Sequence, residues 1–242
     1  MQLQEIYKIC NEISPFELQE SWDNSGVQVG FMAQEIKQIV LSLDIDHELL
    51  DSLEENTLLI THHPLIFKPI KIFDVTMYEA GFIQKMIQKN IAMLSLHTNF
   101  DKTHLNRYVA TEVLGYMIEK EDDFLLTLQS KEEAFEKIYS DVVAKLSLRY
   151  PKVVMPTKKI QKIALCTGSG ASLLPKVDAE LFLTGDIKYH DAMLAKALGI
   201  GMIDIGHFES EQFFSAILAK ELKNFGIDAI ISQSKNPFDY IV

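Results

Sequence analysis

Residues 57–63 read Thr57-Leu58-Leu59-Ile60-Thr61-His62-His63, a short apolar run that ends in two imidazoles. The run predicts a β-strand, and similar runs flank it. Ile39-Val40-Leu41-Ser42-Leu43 precedes it, with a helical stretch from Asp46 to Asn56 in between. Ile91 to Leu96 follows it, after a helical stretch from Met77 to Asn90 in which Phe82, Met86 and Ile87 keep helical spacing. A further helix is predicted from Leu105 to Leu114. Strand, helix, strand, helix is the pattern of βαβ units on a mainly parallel sheet with right-handed crossovers.

The rhythm breaks in the middle and then returns. Lys120 to Asp123 is a charged patch that suggests a boundary, Phe124 to Leu128 alternates weakly like a half-exposed strand, and Lys131 to Leu148 is amphipathic. Pro151 and Pro156 limit regular structure after it. Strands are predicted at Lys162 to Cys166, Leu181 to Thr184, Met202 to Ile205 and Asp228 to Ser232. Helices are predicted from Gly185-Asp186 to Ala197 and from Gly206-His207 to Phe225, stopped by Gly199 and Gly226, where left-handed caps belong. The fold class is therefore α/β, in two halves spanning 1–120 and 121–242 that are expected to be intertwined.

Composition narrows the function. The 242 residues are 48% apolar, with 34 acidic against 23 basic side chains for a net charge of −11. Only Arg107 and Arg149 are arginines, so a nucleic-acid duplex is a poor partner. No window approaches the ~18 uninterrupted apolar residues of a membrane span. The first ten residues lack the apolar core of a signal peptide, and a cytoplasmic protein is expected. Cys10 and Cys166 suggest buried, reduced thiols rather than a disulfide.

Five of the seven histidines fall just past the ends of predicted strands. These are His62, His63, His97, His190 and His207; His47 and His104 lie in helices and read as surface residues. The strand ends of an open α/β sheet are where sites form. Pro64 forces His63 into an extended conformation, so the His62-His63 pair can straddle two ions. His207 and Glu211 lie one helical turn apart and share a face. Asp101 adds a second carboxylate four residues after His97. Imidazoles and carboxylates in this mix suit Zn, Mn, Fe, Ni or Co, and a bridging glutamate can hold two ions ~3.5–4 Å apart. Each feature taken singly also has a plain reading: a capping pair, a solvated helix contact, an acid near a helix start. Asp186 and His190 can line the same cleft or be a helix-start acid and its exposed neighbour.

Two glycine-containing turns are less specific. Thr167-Gly168-Ser169-Gly170 follows a strand but lacks the Lys-Ser/Thr of a phosphate loop and reads best as a tight turn. Trp22-Asp23-Asn24-Ser25-Gly26 is a turn signal. Its tryptophan, the only one in the chain, either stacks on a base or anchors the N-terminal segment.

Taken in order, these segments resemble the Nif-three-like family, the GTP cyclohydrolase 1 type 2 homologues. The matching stretches are Ser21 to Gly30, Thr61-His62-His63-Pro64-Leu65, His97-Thr98-Asn99-Phe100-Asp101, Gly168-Ser169-Gly170, Thr184 to His190 and Gly206-His207-Phe208-Glu209-Ser210-Glu211. The resemblance implies two α/β domains with mainly parallel sheets and a dinuclear metal site at strand C-terminal ends between them. It also implies a ring-shaped homohexamer. His62, His63, Asp101, His207 and Glu211 resemble the family's metal ligands, Glu211 the bridge, and His97 a neighbouring or substrate-facing residue. The implied activity is a metal-dependent GTP cyclohydrolase I reaction, GTP and water giving dihydroneopterin triphosphate and formate by a metal-activated hydroxide. His97 is then the candidate proton shuttle, since a histidine's ordinary pKa of ~6.5 suits acid–base work. Lys68, Lys71, Lys102 and Lys188 flank the motifs and are candidates to meet a triphosphate. Two alternatives stand beside this reading: a hydrolase of other nucleotides or phosphoesters, and a metal-binding, partner-binding assembly without catalysis. One departure is local: Lys102-Thr103-His104-Leu105-Asn106 follows Asp101 where many relatives carry a glycine pair.

Overall fold

A computed structural model describes residues 1–130 and 134–241. In chain order the strands are β1 (Gly26–Val29), β2 (Gln38–Ser42), β3 (Thr57–Thr61), β4 (Ala92–Ser95), β5 (Met117–Asp122), β6 (Leu125–Gln129), β7 (Val153–Val154), β8 (Lys162–Leu165), β9 (Leu181–Thr184), β10 (Gly201–Asp204) and β11 (Ile230–Ile231). The principal helices are α1 (Leu3–Ile13), α2 (His47–Ser52), α3 (Tyr78–Gln88), α4 (Phe135–Leu146), α5 (Tyr189–Leu198), α6 (His207–Glu211) and α7 (Phe214–Asn224). The chain divides into two compact units, one of residues 1–100 and 213–235, the other of 101–212 and 236–241. No helix among the described residues is long and apolar enough to cross a membrane.

The first unit is built on a five-stranded sheet of order β1-β4-β3-β2-β11. β11, β2, β3 and β4 run parallel, and β1 pairs antiparallel with β4. All five residues of β3 are buried, as expected of a central parallel strand covered on both faces. Asp46 caps α2 by accepting the Leu49 N–H at 2.7 Å, and the helix stops at Ser52, short of the predicted Asn56. α3 buries Ala80, Phe82, Ile83 and Met86, and α7 buries Phe214, Ile217, Leu218 and Leu222.

The second unit carries a six-stranded sheet of order β5-β6-β8-β9-β10-β7. Its centre, β8-β9-β10, is parallel, while β5, β6 and β7 add antiparallel pairs at the two sides, so this sheet is mixed. The charged patch placed at the boundary after residue 120 lies at the end of β5 and in the turn that follows it, and the residues of β5 are almost all exposed. Charge suits an edge strand, because it discourages pairing with another chain. The division of the chain comes instead at 100/101, 212/213 and 235/236. The predicted 105–114 helix is there, but Asp101–Leu105 and Val109–Val113 take the wider π-helical turn. The single helix predicted from His207 to Phe225 is two, α6 and α7, with the break at 212–213 where the chain passes from one unit to the other. Gly199 and Gly226 take φ of 73° as left-handed stops. The start of the amphipathic stretch at 131–133 lies outside the described residues, and α4 accounts for the rest.

Candidate metal-binding site

In the first unit, three histidines gather where β3 and β4 end. The N–H groups of His62 and His63 both donate to the Leu43 carbonyl, at 3.2 Å each. This shared acceptor breaks the alternation of a strand and lets neighbouring rings fall 4.9 Å apart. The His97 ring lies 5.1 Å from that of His62 and 5.5 Å from that of His63. One ring nitrogen from each of the three lies within 4.8 Å of the others. His62 is fully buried, its ring 5.1 Å from Phe214.

Each ring is fixed through Nδ1. That atom of His62 donates to the Leu96 carbonyl (2.9 Å), that of His63 to Asp44 (2.7 Å), and that of His97 to Asp23 (2.7 Å). Carbonyl and carboxylate oxygens only accept, so the proton sits on Nδ1. The Asp23 side chain has no solvent exposure. Its carboxylate also accepts from the Thr98 hydroxyl, the Thr98 N–H and the Asn24 N–H. Burial opposes its ionisation, but the hydrogen bond and charge of His97, with Thr98 and Asn24, outweigh burial and hold its carboxyl well below the usual range.

The second unit assembles a carboxylate-rich set. Asp101 is buried at the first position of its π-helical turn, the kind of irregularity that re-aims a side chain at functional sites. A carboxylate oxygen of Asp101 lies within 4.8 Å of one on Glu211. On α6, His207 Nε2 is 3.0 Å from Glu211 Oε2, while His207 Nδ1 donates to Asp186 at 2.7 Å. Asp204 accepts the N–H groups of Ile187 (3.3 Å) and Gly206 (3.2 Å), which fixes the turns bearing Asp186 and His207. Burial, then the charges of Asp101 and Glu211, push the Cys166 thiol well above its ordinary value, so it stays a neutral thiol.

The glycine turn after β8 has a defined purpose. A Cβ on Gly168 would stand 2.0 Å from Glu211 Oε1, and the residue takes φ of +60°. Gly168 N–H donates to the Ser210 hydroxyl at 3.0 Å. The turn is a cradle for the Glu211 carboxylate rather than a phosphate loop.

The donor chemistry fits divalent metal. All four histidines direct Nδ1 to an acceptor, the arrangement in which an outer partner sets ring tautomer and aim. Within the second unit, the buried carboxylates of Asp101 and Glu211 join His207 in a nitrogen–oxygen group of the kind suited to Zn, Mn, Fe, Ni or Co. The structure thus brings together His62, His63 and His97 in one unit and Asp101, His207 and Glu211 in the other. His190 is exposed and meets only Tyr189 among the ring contacts described. His47 is exposed and stacks on Phe82, and the His104 ring pairs with Thr103 in the π-helical turn. Lys102 is engaged by Asp123 (2.8 Å) and the Phe124 ring, whereas Lys68, Lys71 and Lys188 are exposed. Sequence reasoning missed Asp23 and Asp44 and left Asp186 undecided. The strand-end rule that singled out the histidines also applies to Asp44, after β2, and Asp186, after β9. Asp23 carries no such signal.

The profile of the family described as Duf34/NIF3 (NGG1p interacting factor 3) matches residues 1–237. The chain is 50% identical to the GTP cyclohydrolase 1 type 2 homolog of Campylobacter jejuni, over 99% of this chain and 100% of that one. It is 40% identical to the GTP cyclohydrolase 1 type 2 of Helicobacter pylori strain J99, over 99% of each. A crystal structure of the Staphylococcus aureus hypothetical protein SA1388 superposes with a TM-score of 0.87 at 24% identity, over 100% of this chain and 99% of that one. Reduced HcgD of Methanocaldococcus jannaschii superposes with a TM-score of 0.79 at 25% identity, over 96% and 97%.

Proposed function

The chain belongs to the Duf34/NIF3 family, and from that premise we propose that it is a metal-dependent hydrolase with GTP cyclohydrolase I type activity. GTP and water would give dihydroneopterin triphosphate and formate, the C8 carbon of guanine leaving as the formate. The substrate comes from the names of the Campylobacter and Helicobacter relatives. The observation that carries the metal dependence is the shared fixing of Nδ1 on His62, His63, His97 and His207.

In this reading His62, His63, Asp101, His207 and Glu211 would hold two divalent ions. Bound ions of this kind supply Lewis-acid chemistry and bring the pKa of water toward ~7. The protein's own groups do the rest. Gly168 gives the Glu211 carboxylate its space. Asp44 and Asp186 hold the rings of His63 and His207 in one tautomer. Asp23 keeps the proton of His97 on Nδ1, so Nε2 is the basic atom. His97 then accepts a proton from the attacking water at Nε2 and returns it to the departing ring nitrogen. The working form in this reading is a cytoplasmic homohexamer, which sedimentation of the purified protein checks.

Formate release from GTP tests the activity, with metal content measured on the same samples. Release by the metal-loaded protein, lost in Glu211→Ala and on chelation, supports the reading. Release that survives both changes overturns it.

A further inference from the structure

Two large aromatic side chains stand in the open beside the three histidines. Trp22 is 56% exposed and Phe67 is 43% exposed. Leaving such rings in water forfeits much of their hydrophobic gain, so their shared position needs a reason. Their ring centroids lie 5.9 Å apart, and each is 6.3 Å from the His97 ring, which both meet edge-on at 77°.

The segments that carry the pair are tied together. Asn24 Nδ2 donates to the Ile66 carbonyl at 2.6 Å, and the Ile66 N–H donates to Gln28 Oε1 at 3.1 Å. These two bonds tie the segment carrying Phe67 to the turn carrying Trp22. Asp23, next to Trp22, is itself locked to His97 and Thr98. The segments that carry both rings are thus tied to each other and to His97 before any ligand arrives, which lowers the ordering cost of binding.

We propose that Trp22 and Phe67 form an open aromatic clamp, an exposed ring face of which stacks on a planar purine base beside His97. Aromatic faces bind any base through its π-system, so the clamp supplies affinity and orientation while the histidines supply the chemistry. The choice of a purine rests on the GTP reading above. Trp22 and Phe67 are positioning residues in this scheme.

The sole tryptophan is the reporter. Emission of Trp22 is followed during titration of the metal-free protein with guanosine, with ribose 5-phosphate as the control. Saturable quenching by guanosine alone is the expected result. Phe67→Ala should weaken the guanosine midpoint about 10-fold. By equilibrium dialysis Trp22→Leu should lose a similar factor, and Trp22→Phe should recover most of it. Emission indifferent to guanosine, quenching by ribose 5-phosphate equal to that by guanosine, or emission that changes with protein concentration alone overturns the clamp, the last because a second copy then covers the rings. Saturable quenching without formate release sustains the clamp and removes only the cyclohydrolase reading. Formate release without quenching removes only the clamp.

Discussion

Asp186 Oδ2 lies 2.7 Å from Nδ1 of His207, across 21 residues of sequence. Asp186 reaches that position with a left-handed backbone, φ 54°, in the turn that Asp204 holds. The aspartate serves the histidine, while the N-cap of α5 is Lys188, whose N–H donates to Asp191 at the third helical position. Asp186→Asn should therefore weaken metal binding by about 10- to 100-fold while the protein stays folded. Competition against a chromogenic chelator measures the first and circular dichroism the second.

Gly168→Ala adds a methyl group 2.0 Å from Glu211 Oε1 at a left-handed φ. Backbone strain alone should cost about 1–3 kcal/mol, seen as a lower denaturation midpoint. The displaced carboxylate should also lower metal stoichiometry. An alanine variant that keeps full metal content and full stability would show that the cradle is not needed.

Removal of metal should lower the melting temperature, because an ion that binds only the folded chain stabilises it by mass action. Addition of Zn or Mn to chelator-treated protein should raise the melting temperature, and Glu211→Ala should blunt that rise. Thermal scans across a metal titration give both.

Acid sensitivity should trace to Asp23. Its carboxyl is held below the usual range in the folded protein, so the unfolded chain binds its proton more readily. The resulting stability is complete above the ordinary carboxyl pKa of ~4 and is lost as pH falls below it. Asp23→Asn should reduce stability at neutral pH by about 2 kcal/mol and flatten the loss on acidification. Urea midpoints measured from pH 7 to strongly acid solution test the slope.

The sequence exposes most of the frame, because a buried parallel strand is written in one kind of residue. β3 occupies the predicted Thr57–Thr61 and β9 the predicted Leu181–Thr184. β5 was hidden because an edge strand of Met-Ile-Glu-Lys-Glu-Asp carries the charge of a linker. The break between α6 and α7 was hidden because Phe213 and Phe214 continue the apolar spacing across it. Among the site residues, the histidines stood out by their place after strands. Asp23 did not, since its value lies in reaching His97 from 74 residues away, and no local pattern records such a bond.

The first unit is completed by residues 213–235, which supply α7 and β11 after the whole of 101–212 has been made. During synthesis, β2 must leave the ribosome with one edge bare and wait for β11 to arrive. Until then the nascent sheet offers an open hydrogen-bonding rim to other chains. Heterologous production should accordingly gain from slow translation and low temperature, conditions that favour the late-arriving strand over a stranger's.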